Sequence, residues 1–175
     1  ANTLLGVDHF PDEMDVDKYP IKEMNNLGYF GIILPLTELK IKAEQLLHEF
    51  FEGAHEKQLQ SFNRTGFKVD ARLDEFALHS WRCHVLQESE KLGLPVYNSA
   101  DVTEEYIKSL SILTQFDSAI ELIKESLFNK GIALITGVKH LPKTYLDGAA
   151  MMNKNGNPVI GLTYRHNRLD NCWYT

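Results

Sequence analysis

The chain has 175 residues, which is enough for one ordinary globular core with a small additional segment. Its formal net charge of −6 gives no basic surplus, which argues against a domain that binds a nucleic-acid backbone unaided, although local basic patches remain an alternative. The distant cysteines Cys83 and Cys172 form no pairing motif, and the sequence has neither a membrane-length apolar run nor a signal-peptide pattern. We therefore expect a cytoplasmic protein without membrane contact.

The N-terminal region begins with an acidic stretch, residues 1–17, that is poor in apolar side chains and typical of an exposed lead-in or linker. Pro20 suits the start of a helix and Gly28 suits a left-handed exit, so the spacing predicts a short helix over residues 21–26. A compact apolar patch follows at residues 29–34.

Two longer helices are predicted next. Thr37 can cap the first of them. Its apolar residues recur at three- and four-residue intervals and predict one buried face: Leu39, Ala43, Leu46, Leu47, Phe50 and Phe51. Residues 54–72 are polar and aperiodic, which predicts a loop or a weak helix. Helical spacing then returns from Leu73 to Gly93 and predicts a long amphipathic helix.

Two shorter helices are predicted over residues 103–113 and 117–129, and Gly131 ends the second. Their apolar residues at helical spacing are expected to face inward: Tyr106, Ile107, Leu110, Ile120, Ile123 and Leu127.

Beyond Gly131 the apolar pattern becomes that of short strands, predicted over residues 132–135, 145–152 and 158–164. Asn155-Gly156 lies between the last two strands and is a hairpin signal, because both residue types tolerate positive φ. The predicted class is α+β, with a mostly helical N-terminal two-thirds followed by a small, largely antiparallel three-stranded sheet.

Three segments carry a resemblance to a known family. Residues 19–30 are similar to the segment that links a helix-turn-helix to a peptidase-like region in HigA-like antitoxins and related XRE-type regulators, and residues 77–81 match a middle helix of the same proteins. Residues 140–175, with their Asp-Gly-Ala-Ala run, resemble the approach to the zinc helix of ImmA/IrrE-type metallopeptidases. In that family His-Glu-x-x-His follows, whose histidines bind zinc and whose glutamate activates water.

The resemblance implies a truncated zincin-like domain. It makes residues 18–100 a helical linker or dimerisation region and residues 101–175 the N-terminal half of a metallopeptidase-like domain. The helix-turn-helix and the zinc helix are expected outside the sequence, so no cofactor is expected here, and zinc would belong to an intact parent. The expected partners are a second copy of the chain and a toxin, with DNA bound only through the missing helix-turn-helix.

Two groups of residues are candidate sites under this resemblance. Asp147, Gly148 and Ala149 could belong to an edge strand that holds a substrate or partner in extended form, since glycine lets another backbone approach; a strand bend or bulge is the alternative. The second group could bind an anionic effector or cap a following helix: Arg165, Arg168, Asp170 and Asn171. No catalytic residue is predicted.

The histidines do not predict a metal site. His48 is followed by Glu52 where a zinc motif would place its second histidine, and the run that begins at His55 lacks that histidine as well. His79 and His84 are five residues apart and are expected on different sides of one helix.

Three hypotheses of function follow. The favoured one is the C-terminal effector-sensing, partner-binding or dimerisation module of a transcription regulator or HigA-type antitoxin, peptidase-like but not catalytic as this chain. The alternative is a zinc-dependent endopeptidase of the ImmA/IrrE type whose catalytic helix lies beyond Thr175. The third is an interaction protein that uses its small sheet to bind a toxin or its own copy.

Overall fold

The computed structural model describes residues 15–52 and 73–163, in which helices precede a small sheet. The helices are α1 (Ile21–Asn26), α2 (Leu36–Glu52), α3 (Glu75–Glu90), α4 (Glu104–Leu113) and α5 (Ala119–Asn129), with single 3-10 turns at Val16–Lys18 and Ser99–Asp101. The strands are β1 (Ala133–Ile135), β2 (Gly148–Met152) and β3 (Pro158–Leu162). This arrangement confirms the predicted α+β class. No helix in the described ranges is long and apolar enough to cross a bilayer.

Side-chain caps define the start of two helices. The Asp74 carboxylate accepts a hydrogen bond from the backbone N–H of Ala77 at 3.0 Å, and Thr103 Oγ1 accepts one from the N–H of Tyr106 at 3.2 Å. Each bond satisfies a backbone donor that has no partner inside the helix. The predicted start of the helix that follows Thr103 is therefore confirmed.

The predicted capping role of Thr37 is wrong, because α2 begins at Leu36 and contains Thr37 in its first turn. The carbonyl of Pro35 accepts the first helical bond, from the N–H of Leu39 at 2.9 Å. A proline has the backbone φ that a helix needs, so the helix can begin directly after it.

The sheet has the order β1-β3-β2, with β3 in the centre. β1 runs parallel to β3, pairing Ala133 with Val159, and β2 runs antiparallel to it, pairing Ala149 with Gly161. The sheet is thus mixed, whereas the sequence predicted a largely antiparallel one. The parallel pairing joins two strands that are distant in sequence. Local sequence patterns do not reveal such a pairing.

The β2–β3 hairpin closes through a three-residue loop between Asn153 and Asn157. The N–H of Asn153 donates to the carbonyl of Asn157 at 2.9 Å, and the N–H of Gly156 donates to the carbonyl of Asn153 at 3.0 Å. Gly156 has a φ of +80°, but Asn155 does not have a positive φ. The predicted hairpin is present, with one left-handed residue where the sequence predicted two.

The core lies between α3 and the sheet, with α2 on the other side of α3. The six α2 residues predicted to face inward are all buried. α3 is buried over more of its surface than an amphipathic helix would be, at Ala77, Leu78, Ser80, Trp81, Cys83, Val85, Leu86 and Ser89. The Trp81 side chain has no exposed surface, and its Nε1 donates to the carbonyl of Val138 at 3.4 Å.

α4 differs most from its predicted packing. None of its residues, all of which the structure describes, is buried, and Ile107 is 57% exposed although it was predicted to face inward. The helix packs on α5, where the hydroxyls of Tyr106 and Ser126 lie 3.1 Å apart. In α5, Leu127 is buried as predicted, and Ile120 and Ile123 are half-buried.

Candidate functional site

The predicted partner-strand residues lie at the start of an edge strand. Among the residues that the structure describes, β2 pairs with β3 and with no strand on its other side. Gly148 pairs with Leu162 and Ala149 with Gly161. The register is continuous along β2, so these residues form regular strand instead of the bulge that was the alternative interpretation.

The ladder shows which backbone groups of β2 point away from β3. The N–H of Thr163 donates to the carbonyl of Asp147, and the N–H of Asn153 donates to the carbonyl of Asn157. In an antiparallel pair, hydrogen-bonded and non-hydrogen-bonded positions alternate. The residues at positions 149 and 151 therefore face β3, and the N–H groups of Gly148 and Ala150 point outward.

The side chains along β2 allow close approach from outside. Gly148, Ala149 and Ala150 carry nothing larger than a methyl group. Gly148 and Ala149 are buried, whereas Ala150 and Met152 are exposed. A second extended backbone can therefore reach the outward N–H of Ala150, whereas the N–H of Gly148 is covered.

Buried Thr163 fixes the start of this edge strand. Its Oγ1 donates to the carbonyl of Leu146 at 2.5 Å, in addition to the bond from its N–H to the carbonyl of Asp147 at 2.9 Å. No sequence pattern marked Thr163 for this role. A threonine at the end of a predicted strand is too common to mark such a role.

The connection between β1 and β2 contains two residues in a left-handed conformation, Lys143 with a φ of +63° and Tyr145 with a φ of +44°. Non-glycine residues pay about 1–2 kcal/mol for this backbone. A hydrogen bond offsets part of this conformational cost, because the N–H of Asp74 donates to the carbonyl of Lys143 at 3.1 Å. The predicted strand over residues 145–152 begins only at Gly148 for this reason, since Tyr145 cannot extend it.

A groove of about 680 Å³ runs along the opposite edge of the sheet. We name it the β1 groove and define it by six of its lining residues: Tyr29, His84, Lys124, Phe128, Ile132 and Lys139. Residues 134–139 line one side of it in an unbroken run, so the groove follows the outer edge of β1 and its continuation. A second depression of about 620 Å³ adjoins it and shares Tyr29 and His84.

Two stacked rings form one wall of the β1 groove. The rings of Tyr29 and His84 have centroids 4.3 Å apart at an angle of 28°. The Tyr29 hydroxyl donates to the carbonyl of Lys139 at 2.5 Å, which holds the β1–β2 connection against this wall. Burial raises the pKa of Tyr29, so the phenol stays a protonated donor.

The His84 side chain contains a buried nitrogen. Its Nδ1 has no hydrogen-bond partner among the residues that the structure describes. Burial lowers the pKa of His84 below its ordinary value of 6.5, against smaller opposing contributions from a hydrogen bond with Gln87 and from Glu88. The imidazole is therefore neutral at pH 7.

Two carboxylates near the groove form ion pairs with lysines. Glu88 lies 2.5 Å from Lys91 Nζ, and Glu90 lies 2.5 Å from Lys154 Nζ. Lys124 is half-buried on the groove wall and Lys139 is exposed at its rim.

The histidines predicted to be unsuited to zinc have other contacts. His48 Nδ1 lies 4.0 Å from a Glu52 oxygen on the surface of α2. The His79 ring stacks on Phe51, and its Nε2 lies 3.7 Å from Cys83 Sγ. The His84 ring stacks on Tyr29 instead. Within residues 15–52 and 73–163, no three His, Cys, Asp or Glu side chains are grouped so that they could hold a metal ion.

Some predicted residues lie outside the described residues. These are the candidate effector or capping residues Arg165, Arg168, Asp170 and Asn171, together with His55 and Cys172.

Comparison with known proteins gives no match for this chain among protein-family models, curated proteins or solved structures.

Proposed function

We propose that this chain is the partner-binding, regulatory module of a cytoplasmic helix-turn-helix transcription regulator or HigA-type antitoxin, peptidase-like in architecture. In this proposal β2 binds an extended segment of the partner protein, which is a toxin. The observation that carries the proposal is the open edge of β2 with its small side chains. The resemblance of residues 19–30 and 140–175 to such regulators supplies the protein class.

The physical basis of binding is strand addition. The outward backbone groups of an edge strand form hydrogen bonds with water. A second strand that pairs with the edge replaces this water. A partner strand at β2 would receive a hydrogen bond from the N–H of exposed Ala150, and main-chain bonds of this kind supply affinity that depends little on sequence. Exposed Met152 adds an apolar contact at the far end of the strand.

A proline substitution tests this edge directly. In Ala150→Pro the outward N–H is lost, but the hydrogen bonds between β2 and β3 are retained because position 150 does not face β3. We expect the affinity for the toxin encoded beside this gene to fall at least about tenfold, with the unfolding midpoint nearly unchanged. The matched control Ala150→Val keeps the N–H and should bind as the unchanged protein does.

Hydrogen exchange provides a second readout in the same titration. The amide of Ala150 should exchange more slowly when the toxin is bound, and the amide of Ala149, already in the ladder, should change little. Full affinity in Ala150→Pro would overturn strand addition.

The regulator assignment has its own test, because the gene must encode a helix-turn-helix within roughly one hundred residues upstream.

The second candidate is a zinc-dependent endopeptidase of the ImmA/IrrE type. The same antiparallel edge favours it, since an extended substrate could pair with β2 as a partner would. Zinc analysis and intact-mass measurement of the full gene product separate the two candidates. Zinc-dependent cleavage of an unstructured protein, abolished by a chelator, would support the peptidase; a full-length product without His-Glu-x-x-His would exclude it.

A further inference from the structure

We propose that the β1 groove is a binding site for a small organic anion with an apolar body. It lies along the opposite edge of the sheet from β2, and the proposal does not depend on the function proposed for that strand. The groove volume of about 680 Å³ falls in the range of small-molecule sites, which are concave, largely apolar and equipped with a few polar groups.

The apolar body would contact one continuous wall. The groove is lined by Leu27 directly after α1, by Phe128 in α5 and by Ile132 directly before β1. The stacked rings of Tyr29 and His84 form a flat surface beside them. These positions would hold an aliphatic or aromatic body of modest size through burial of apolar surface.

The imidazole of His84 forms part of the groove wall. Its Nδ1 has no hydrogen-bond partner among the described residues, but this nitrogen has almost no exposed surface, so a ligand in the groove would contact the ring and not this atom. The polar end of the ligand would therefore be bound by the charged side chains of the groove.

The charge pattern favours an anion over a cation. Glu88, which lines the groove, is paired with Lys91, and Glu90, which lines only the adjoining depression, is paired with Lys154. Lys124 and Lys139 also line the groove, with exposed Glu125 as the remaining carboxylate. An anionic ligand could therefore pair with two lysines in the groove.

The test uses octanoate as the probe, with octylamine and octan-1-ol as its cationic and neutral counterparts, in calorimetric titrations of the whole chain. Octanoate should bind saturably with a Kd below about 1 mM, and octylamine at least about tenfold more weakly. In parallel NMR spectra, the imidazole nitrogen signals of His84 should shift during the octanoate titration. Absence of saturable octanoate binding, equal binding of octylamine, or an unperturbed His84 would overturn the proposal.

Two lysine variants locate the anion. Lys124→Met and Lys139→Met keep an apolar stem and remove the charge, so octanoate affinity should fall about tenfold in the double variant while octan-1-ol affinity stays the same. Lys108→Met is the matched control, because Lys108 lies on exposed α4 beside Glu104 and does not line the groove. Unchanged octanoate affinity in the double variant would also overturn the proposal.

Discussion

Gly161 lies directly against Val85. A Cβ atom placed on Gly161 would come within 2.8 Å of Val85 Cγ1 and 3.0 Å of the Trp81 ring. The central strand therefore approaches α3 more closely than any residue with a side chain would permit. Helix α3 and β3 are fixed together at this contact, and the edges of the sheet take their positions from β3.

The first prediction concerns this contact. Gly161→Ala should destabilise the protein by about 1–3 kcal/mol, because the Val85 side chain is branched at Cβ and cannot easily rotate away within a helix. Urea denaturation gives the free energy of unfolding. Gly137→Ala is the control, since a Cβ there meets nothing within 4 Å, and its effect should stay within about 0.5 kcal/mol. Equal unfolding midpoints for the two variants would contradict the prediction.

The second prediction concerns the buried amide of Asn157. Its Nδ2 donates to the carbonyls of Pro95 and Gly131 at 2.7 and 2.8 Å. Asn157→Asp replaces a donor by an acceptor and should cost about 2–3 kcal/mol of stability, because two buried carbonyls lose their partner. The exposed neighbour variant Asn155→Asp should cost no more than about 0.5 kcal/mol in the same denaturation assay. A small effect at Asn157 would show that water replaces these bonds.

The third prediction concerns the Cys83 thiol. Burial raises its pKa to about 12, with a smaller opposite effect from Arg82, so almost no thiolate is present at pH 8. In a Cys172→Ser background, Ellman's reagent should react with the native protein at least about a hundredfold more slowly than with the protein in urea. The converse variant, Cys83→Ser, gives the rate at which Cys172 alone reacts with the reagent. A native rate close to the unfolded rate would contradict burial of this thiol.

The fourth prediction concerns the pH dependence of stability. Burial lowers the pKa of His84 from 6.5, so the unfolded chain binds this proton more tightly than the folded chain does. The contribution to stability is fully present above pH 6.5 and is lost as the pH falls from there through the folded-state pKa. His84→Phe keeps a ring against Tyr29 but cannot titrate, so it should lose less stability between pH 7.5 and 5.5.

Urea denaturation of both proteins at pH 7.5, 6.5 and 5.5 measures this difference. The other histidines are present in both proteins, so their contributions cancel in the comparison. Parallel pH profiles for the two proteins would show that His84 has no lowered pKa.

The helices that pack on several neighbours were the easiest to predict from the sequence. The three- and four-residue spacing from Leu39 to Phe51 identified the whole buried face of α2, because that face has a partner along its full length. The same spacing was misleading for Ile107, since α4 packs mainly on α5 among the described elements and exposes this side chain. Periodicity shows that a helix is amphipathic, and tertiary structure decides which residues are covered.

The candidate sites depended still more on tertiary structure. The glycine and alanines at the start of β2 were found from the sequence, because small residues in a strand are a local signal. The β1 groove was not found. It forms where Tyr29, His84 and Lys124 meet from three separate helical regions, and no local pattern predicts that His84 Nδ1 lacks a partner.

The central position of β3 has a consequence for the two edges. β3 is hydrogen-bonded to β1 on one flank and to β2 on the other, so all three strands lie between the groove and the open edge. The close contact at Gly161 holds β3 against α3 in one register. A small molecule in the groove and a strand added to β2 would therefore occupy opposite margins of the sheet and could be bound at the same time.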